Sequence, residues 1–190
     1  MWKWFWDWLA ALPQGGASFV GTLTGSSFGL IALLLGALFN AHLNRKRDNR
    51  LREQDRQMVA VALHAELSSI EHTLLENAKR LTEKPPGEGA GFLVPDVMHS
   101  SLLFKDMLPR IGLLDPGTTR KVIDSYILLS QYFEGLILVG GVVVQKLPEG
   151  RRLAQLPTAM ASFVIEYNQA RADFIKEAIN ALAPSISKNG

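Results

Sequence analysis

Cysteine is missing from all 190 residues. That excludes disulfides, thiolate metal centres and thiol nucleophiles, and it fits a domain in a reducing compartment. Net charge is nearly missing too: 20 Lys and Arg against 18 Asp and Glu leave +2, so no overall field points to a nucleic-acid partner. No G-x-x-x-x-G-K-[ST], G-x-S-x-G or H-E-x-x-H signature occurs. His64, Ser68 and His72 share a helix face. The two histidines are nevertheless ~12 Å apart along the axis, too far to hold one metal, and His42 and His99 stand alone. The expectation is a non-enzymatic protein with no cofactor and no metal.

The most informative absence is local. Between Asp7 and Arg45 there is no Asp, Glu, Lys or Arg. Within that window SFVGTLTGSSFGLIALLLGALFNA, residues 18–41, is long enough to cross ~30 Å of hydrocarbon as a helix. A cleaved signal peptide fits poorly: the preceding region is aromatic rather than basic, the apolar run is too long, and no A-x-A-like site follows. One transmembrane helix is expected. NRKRDNRLR follows it, so that Arg45, Lys46, Arg47, Arg50, Arg52 and Arg56 flank one end of the span and Lys3 the other. The positive-inside rule then places the C-terminal part in the cytoplasm and the N-terminus outside. The same cluster would suit anionic lipid or nucleic acid. It lacks interleaved aromatics for base stacking, so topology is the preferred reading and no nucleic-acid partner is expected.

What is present in excess is tryptophan: all four lie in the opening MWKWFWDW. On a helix at 100° per residue, Lys3, Asp7 and Gln14 share one side and Phe5, Leu9 and Leu12 the other, with Trp2 and Trp6 on one flank and Trp4 and Trp8 on the opposite flank. An indole has an apolar body and one N–H donor, so it favours the headgroup layer. Residues 1–14 are therefore expected to form an amphipathic helix lying in the membrane interface. Pro13-Gln14-Gly15-Gly16 then supplies the turn into the span.

Within the span Gly21, Gly25, Gly29 and Gly36 fall on one stripe with Ser18, Thr22, Ser26 and Asn40, while Val20, Leu23, Leu30, Ile31, Leu34 and Leu38 cover the other side. Lipid offers no hydrophobic drive for helix association, so helices associate by close backbone approach and interhelical hydrogen bonds, both of which small residues permit. A single span has no second helix of its own to meet that stripe. The expected partners are membrane lipids, a second copy of the chain, and another membrane or cytoplasmic protein. The alternative is an oligomeric pore or ion channel lined by Ser18, Thr22, Ser26 and Asn40. No ring of charge lies in the span to select ions.

Beyond the basic segment Ala60, Leu63, Leu67, Ile70, Leu74, Asn77 and Leu81 recur in steps of three and four. They form a heptad-type seam that suits either a coiled coil or an amphipathic helix on its own domain. An unbroken helix over 18–83 is expected, on the order of 100 Å long. KPPGEGAGF ends it. Asp96 is expected to cap a short helix through Leu108, Asp115-Pro116 to open a third helix reaching Lys146, and Pro157 to open a last one to Leu182. LILVGGVVV, residues 136–144, is expected to be buried helix. A second span is disfavoured because Gln131 and Glu134 lie mid-window. No strand alternation is evident, so the fold class is all-α: interfacial helix 1–14, span 18–41, juxtamembrane helix 42–83, and a cytoplasmic bundle over 92–184 completed by the long helix.

One span, a charged helix continuing inward and LLFKDMLPRIGLLDPGTTRKVIDSYILL together resemble small bacterial single-span membrane-anchored helical proteins over residues 44–129. The resemblance implies a bacterial inner membrane, and it implies no activity and no site residues. The functional expectation is a membrane-anchored scaffold or interaction module that homo-oligomerises through the glycine stripe.

Overall fold

The computed structural model describes residues 2–11, 13–87, 89, 91–100, 103–146 and 152–187. These form helices α1 (Trp2–Ala10), α2 (Gln14–Glu83), α3 (Leu103–Met107), α4 (Pro116–Ser130), α5 (Tyr132–Leu138) and α6 (Ala161–Ser187), with strands β1 (Phe92–Pro95), β2 (Val142–Lys146) and β3 (Arg152–Leu156). Two compact units divide the chain, Met1–Leu51 and Arg52–Gly190, and α2 contributes to both.

In the first unit α2 already starts at Gln14, so the turn expected over Pro13-Gln14-Gly15-Gly16 is instead the first turn of the helix, with Gly16 N donating to Pro13 O at 2.7 Å. Its 18-residue apolar window is entirely unburied. Phe19, Phe28, Leu33 and Leu38 all stand more than half exposed. The helix is long and apolar enough to cross a membrane.

In the second unit the seam is buried. Val59, Ala60, Leu63, Leu67, Ile70 and Leu74 of α2 meet Val122, Tyr126 and Leu129 of α4, Tyr132, Phe133 and Leu136 of α5, and Ile175, Ala178 and Leu182 of α6 in one core. The chain's own domain thus occupies the heptad face and leaves it no room for an intermolecular coiled coil; Asn77 sits only partly buried beside it. Asp115 caps α4 as its sequence promised, its Oδ1 accepting from Thr118 N at 3.0 Å. Hydrogen bonding from Thr118, its side chain first and its backbone N–H second, holds the Asp115 carboxyl below its ordinary range.

Three expectations are corrected here. The second unit is mostly helical yet carries a three-stranded antiparallel sheet ordered β1-β3-β2, with Val94 opposite Ala154 and Ala154 opposite Val143. Phe92, Val94, Ala154 and Leu156 turn inward while Leu93 and Gln155 face out. The helix expected to reach Lys146 also stops early. α4 ends at Ser130, α5 at Leu138, and Gly140 adopts φ +100°. Gly141 N donates to Leu136 O (3.0 Å) and Gly140 N to Ile137 O (3.1 Å), the paired bonds of a Schellman C-cap. A Cβ on Gly141 would lie 2.6 Å from Leu136 O, so the second glycine is needed as well. Val142, Val143 and Val144 then follow as β-branched strand rather than buried helix. Lastly, Asp96 does not cap a single short helix reaching Leu108: its Oδ1 accepts from Met98 N (3.1 Å) at a 3-10 turn, Val97–Ser100, and α3 begins only at Leu103.

Candidate functional site

In the first unit the four tryptophans are exposed along α1. An ideal Cβ at Gly21, Gly25, Gly29 or Gly36 would meet no heavy atom within 4 Å, so in a single chain this stripe is bare backbone. Of the residues proposed to line a pore, Thr22 donates its hydroxyl to Ser18 O at 3.0 Å. Thr24 and Ser27 likewise donate to Val20 O (2.7 Å) and Leu23 O (2.8 Å). Such back-bonding satisfies hydroxyl donors inside the helix and leaves only acceptor lone pairs outward. Ser18, Ser26 and Asn40 are exposed on the same helix, as are Arg45, Lys46, Arg47 and Arg50; in the second unit Arg52 is exposed too.

The second unit contains three polar clusters that sequence reasoning missed. Glu66 of α2 is 8% exposed. Its carboxylate accepts from Leu103 N and Phe104 N at 3.0 Å each and from the Tyr126 hydroxyl at 2.5 Å. It thereby ties the long helix to the first turn of α3 and to α4. Phe104 stacks on Tyr126 with ring centres 3.8 Å apart. Burial first, and the Glu66 contact second, raise the Tyr126 phenol above its ordinary pKa.

Arg152 of β3 bonds Asp96 Oδ2 at 2.7 and 3.0 Å, reaches Glu134 at 3.1 Å, and stacks 4.2 Å over Phe133. The Asp96 bond is the main cause of its raised pKa. The triad staples the sheet to α5.

The third cluster joins α5 to α6. Tyr132 donates to Asn168 Oδ1 at 2.8 Å, and the Arg171 guanidinium lies 3.3 Å over the Tyr167 ring and 5.9 Å from that of Tyr132. Burial raises the phenol of Tyr132 and lowers the pKa of Arg171. Gly135 leaves the space that the Tyr167 hydroxyl occupies.

A charged residue flanking core positions, such as Glu66 beside Leu63, Leu67 and Ile70, was the one sequence signal that could have exposed the first cluster. The other two carry none. On α2 His64 is half-buried and His72 exposed, and among the described residues no group of three His, Cys, Asp or Glu side chains could hold a metal. The side chain of His99 lies outside the described residues. No protein-family model, curated protein or solved structure matches this chain.

Proposed function

We propose that the protein is a non-enzymatic membrane-anchored module. Residues 18–41 span the bilayer, the glycine stripe joins copies of the chain, and the mixed helical unit is presented to partners. The observation carrying this reading is the wholly unburied apolar window of α2. So many contiguous exposed Leu, Ile and Phe side chains are incompatible with water and need lipid or protein cover. The open face of Gly21, Gly25, Gly29 and Gly36, where no heavy atom lies within 4 Å of an ideal Cβ, supports lateral packing, since a second backbone could approach closely there. Arg45, Lys46, Arg47, Arg50 and Arg52 support a cytoplasmic second unit in a bacterial inner membrane, with Trp2, Trp4, Trp6 and Trp8 in the outer headgroup layer. The pore reading ranks below this because the Thr22 donor is already used by its own backbone.

Molecular mass in nanodiscs tests the assembly: a discrete homo-oligomer is expected, and a clean monomer at micromolar concentration refutes it. A reporter fused after Gly190 should read cytoplasmic. A periplasmic signal refutes the topology.

A further inference from the structure

We propose that the outward row of α2, Met58, Val61, Ala65, Ser68, His72 and Leu75, is a seam along which a second copy of the chain packs in parallel and in register. The proposal rests on the reading of residues 18–41 as a span that joins copies. Residues 58–63, MVAVAL, include no polar side chain. Val59, Ala60 and Leu63 of that stretch are buried in the chain's own core, whereas Met58 and Val61 stand 55% and 45% exposed. A helix that is apolar all round needs cover on both sides. From Met58 the outer row proceeds in steps of three and four through Ala65, Ser68 and His72 to Leu75, itself 43% exposed. That is the spacing of a two-stranded seam.

Two features favour a second copy as the occupant. Gly25 and Val61, Gly29 and Ala65, and Gly36 and His72 are each 36 positions apart, ten whole turns at ~3.6 residues per turn. α2 runs unbroken through all six, so the row repeats the phase of the glycine stripe, and a helix packed along one continues along the other. Copies inserted with one topology also run parallel, and each residue of the row then meets its own counterpart. Ala65 and Ser68 are small enough for close approach, while His72, a polar residue within the seam, favours in-register pairing over slipped pairing. With only three large apolar side chains the seam is weak by itself; it closes because the span holds the copies at high effective concentration. One pair opposes it. In a parallel pair Glu71 of one copy lies beside Glu76 of the other, five positions further on, where like charges repel.

The test uses full-length protein in nanodiscs. The chain has no cysteine, so oxidation of Ala65→Cys reports on that position alone. A disulfide-linked dimer is expected, while Arg52→Cys and Arg80→Cys, exposed on α2 off the row, should stay largely unlinked. Val61→Glu added to Ala65→Cys should slow the linkage at least about ten-fold. Glu76→Lys should speed it about three-fold by turning a repelling pair into an attracting one, and Glu71→Lys together with Glu76→Lys should cancel that gain. Every substituted position is exposed or half-buried, so the tyrosine near-UV circular dichroism of the wild type should persist in each variant. An oligomeric mass with no linkage at Ala65→Cys, as a seat for a foreign protein would give, overturns the seam and leaves the glycine stripe standing. Equal linkage at Arg52→Cys and Arg80→Cys does the same. A monomeric mass for the wild type overturns both the seam and the joining of copies by the span. An unchanged rate in Glu76→Lys overturns the parallel register.

Discussion

Replacing Glu66 by alanine removes an acceptor shared by α2, α3 and α4, and the penalty follows from who loses a partner. The Tyr126 hydroxyl belongs to a residue 3% exposed and has no other bond among the described residues, so stranding it costs about 1–3 kcal/mol. The N–H groups of Leu103 and Phe104 lose 3.0 Å bonds at the part-buried start of α3. Water entering the vacated space recovers some of that, leaving ~1 kcal/mol each. Glu66→Ala should therefore destabilise the second unit by about 3–5 kcal/mol, a large share of the ~5–15 kcal/mol typical of a domain. Glu66→Gln keeps the shape but turns an NH₂ donor toward a donor, for about 1–3 kcal/mol. Tyr126→Phe, which leaves a charged acceptor with two remaining donors, should cost about 1.5–3 kcal/mol. In the double variant the losses should fall short of additive, because the stranded hydroxyl is counted in one single variant and its bond in the other. The assay is urea unfolding in micelles read by tyrosine near-UV circular dichroism. All four tryptophans lie in residues 2–8, whereas the three tyrosines are Tyr126, Tyr132 and Tyr167, so tryptophan emission would report the wrong unit. A Glu66→Ala protein within 0.5 kcal/mol of wild type, a margin typical of surface substitutions, would refute the shared-acceptor account.

Alkali should unfold the second unit. Tyr126 and Tyr132 have folded pKa values raised above the usual 10, so their contribution is complete below pH 10 and is lost as pH rises beyond it, at about 1.4 kcal/mol per pH unit for each phenol. Absorbance at 295 nm with the fold intact near pH 10.5 would contradict this if both phenols had ionised. Gly25→Leu or Gly29→Leu should dissociate the oligomer while leaving the protein membrane-bound, as seen by mass in nanodiscs; an unchanged oligomer would exclude that face. Alanine at Trp2, Trp4, Trp6 and Trp8 together should loosen the assembly without releasing the protein from membranes. In the wild type, tryptophan emission should be blue-shifted and quenched by lipids brominated near the headgroup, and free quenching by aqueous iodide argues against an interfacial α1. Gly140→Val puts a β-branched side chain at φ +100° and should cost at least about 1–2 kcal/mol by urea unfolding, with no loss if the C-cap is dispensable.

How much of this was legible depends on the range over which each signal acts. The start of α4 was readable because Asp115 and Thr118 are three residues apart, and the helical stretch 18–83 because every apolar step along it is local. The sheet was not, for β1 and β3 are only four and five residues long and pair across a gap of about sixty positions. Gly140-Gly141 were seen but assigned to a helix interior, since the Val run after them satisfied the apolar expectation for either structure; only the C-cap geometry decides between the two. Glu66 and Arg152 had partners that no spacing along the chain announces.

The same helix meets two different demands, and that contrast is the strongest internal argument for the membrane reading. In residues 58–78, Leu63, Leu67 and Leu74 are fully buried, while Met58, Val61 and Leu75 on the opposite side are exposed. One side is covered by its own core, as in any amphipathic helix. In residues 18–41 there is no such division. Val20 faces one way and Leu34 and Phe39 others, yet no side of that stretch is buried, and charge returns only at Arg45. On the proposed reading lipid surrounds residues 18–41, and the glycine stripe is the side along which another helix could approach closely enough to replace it.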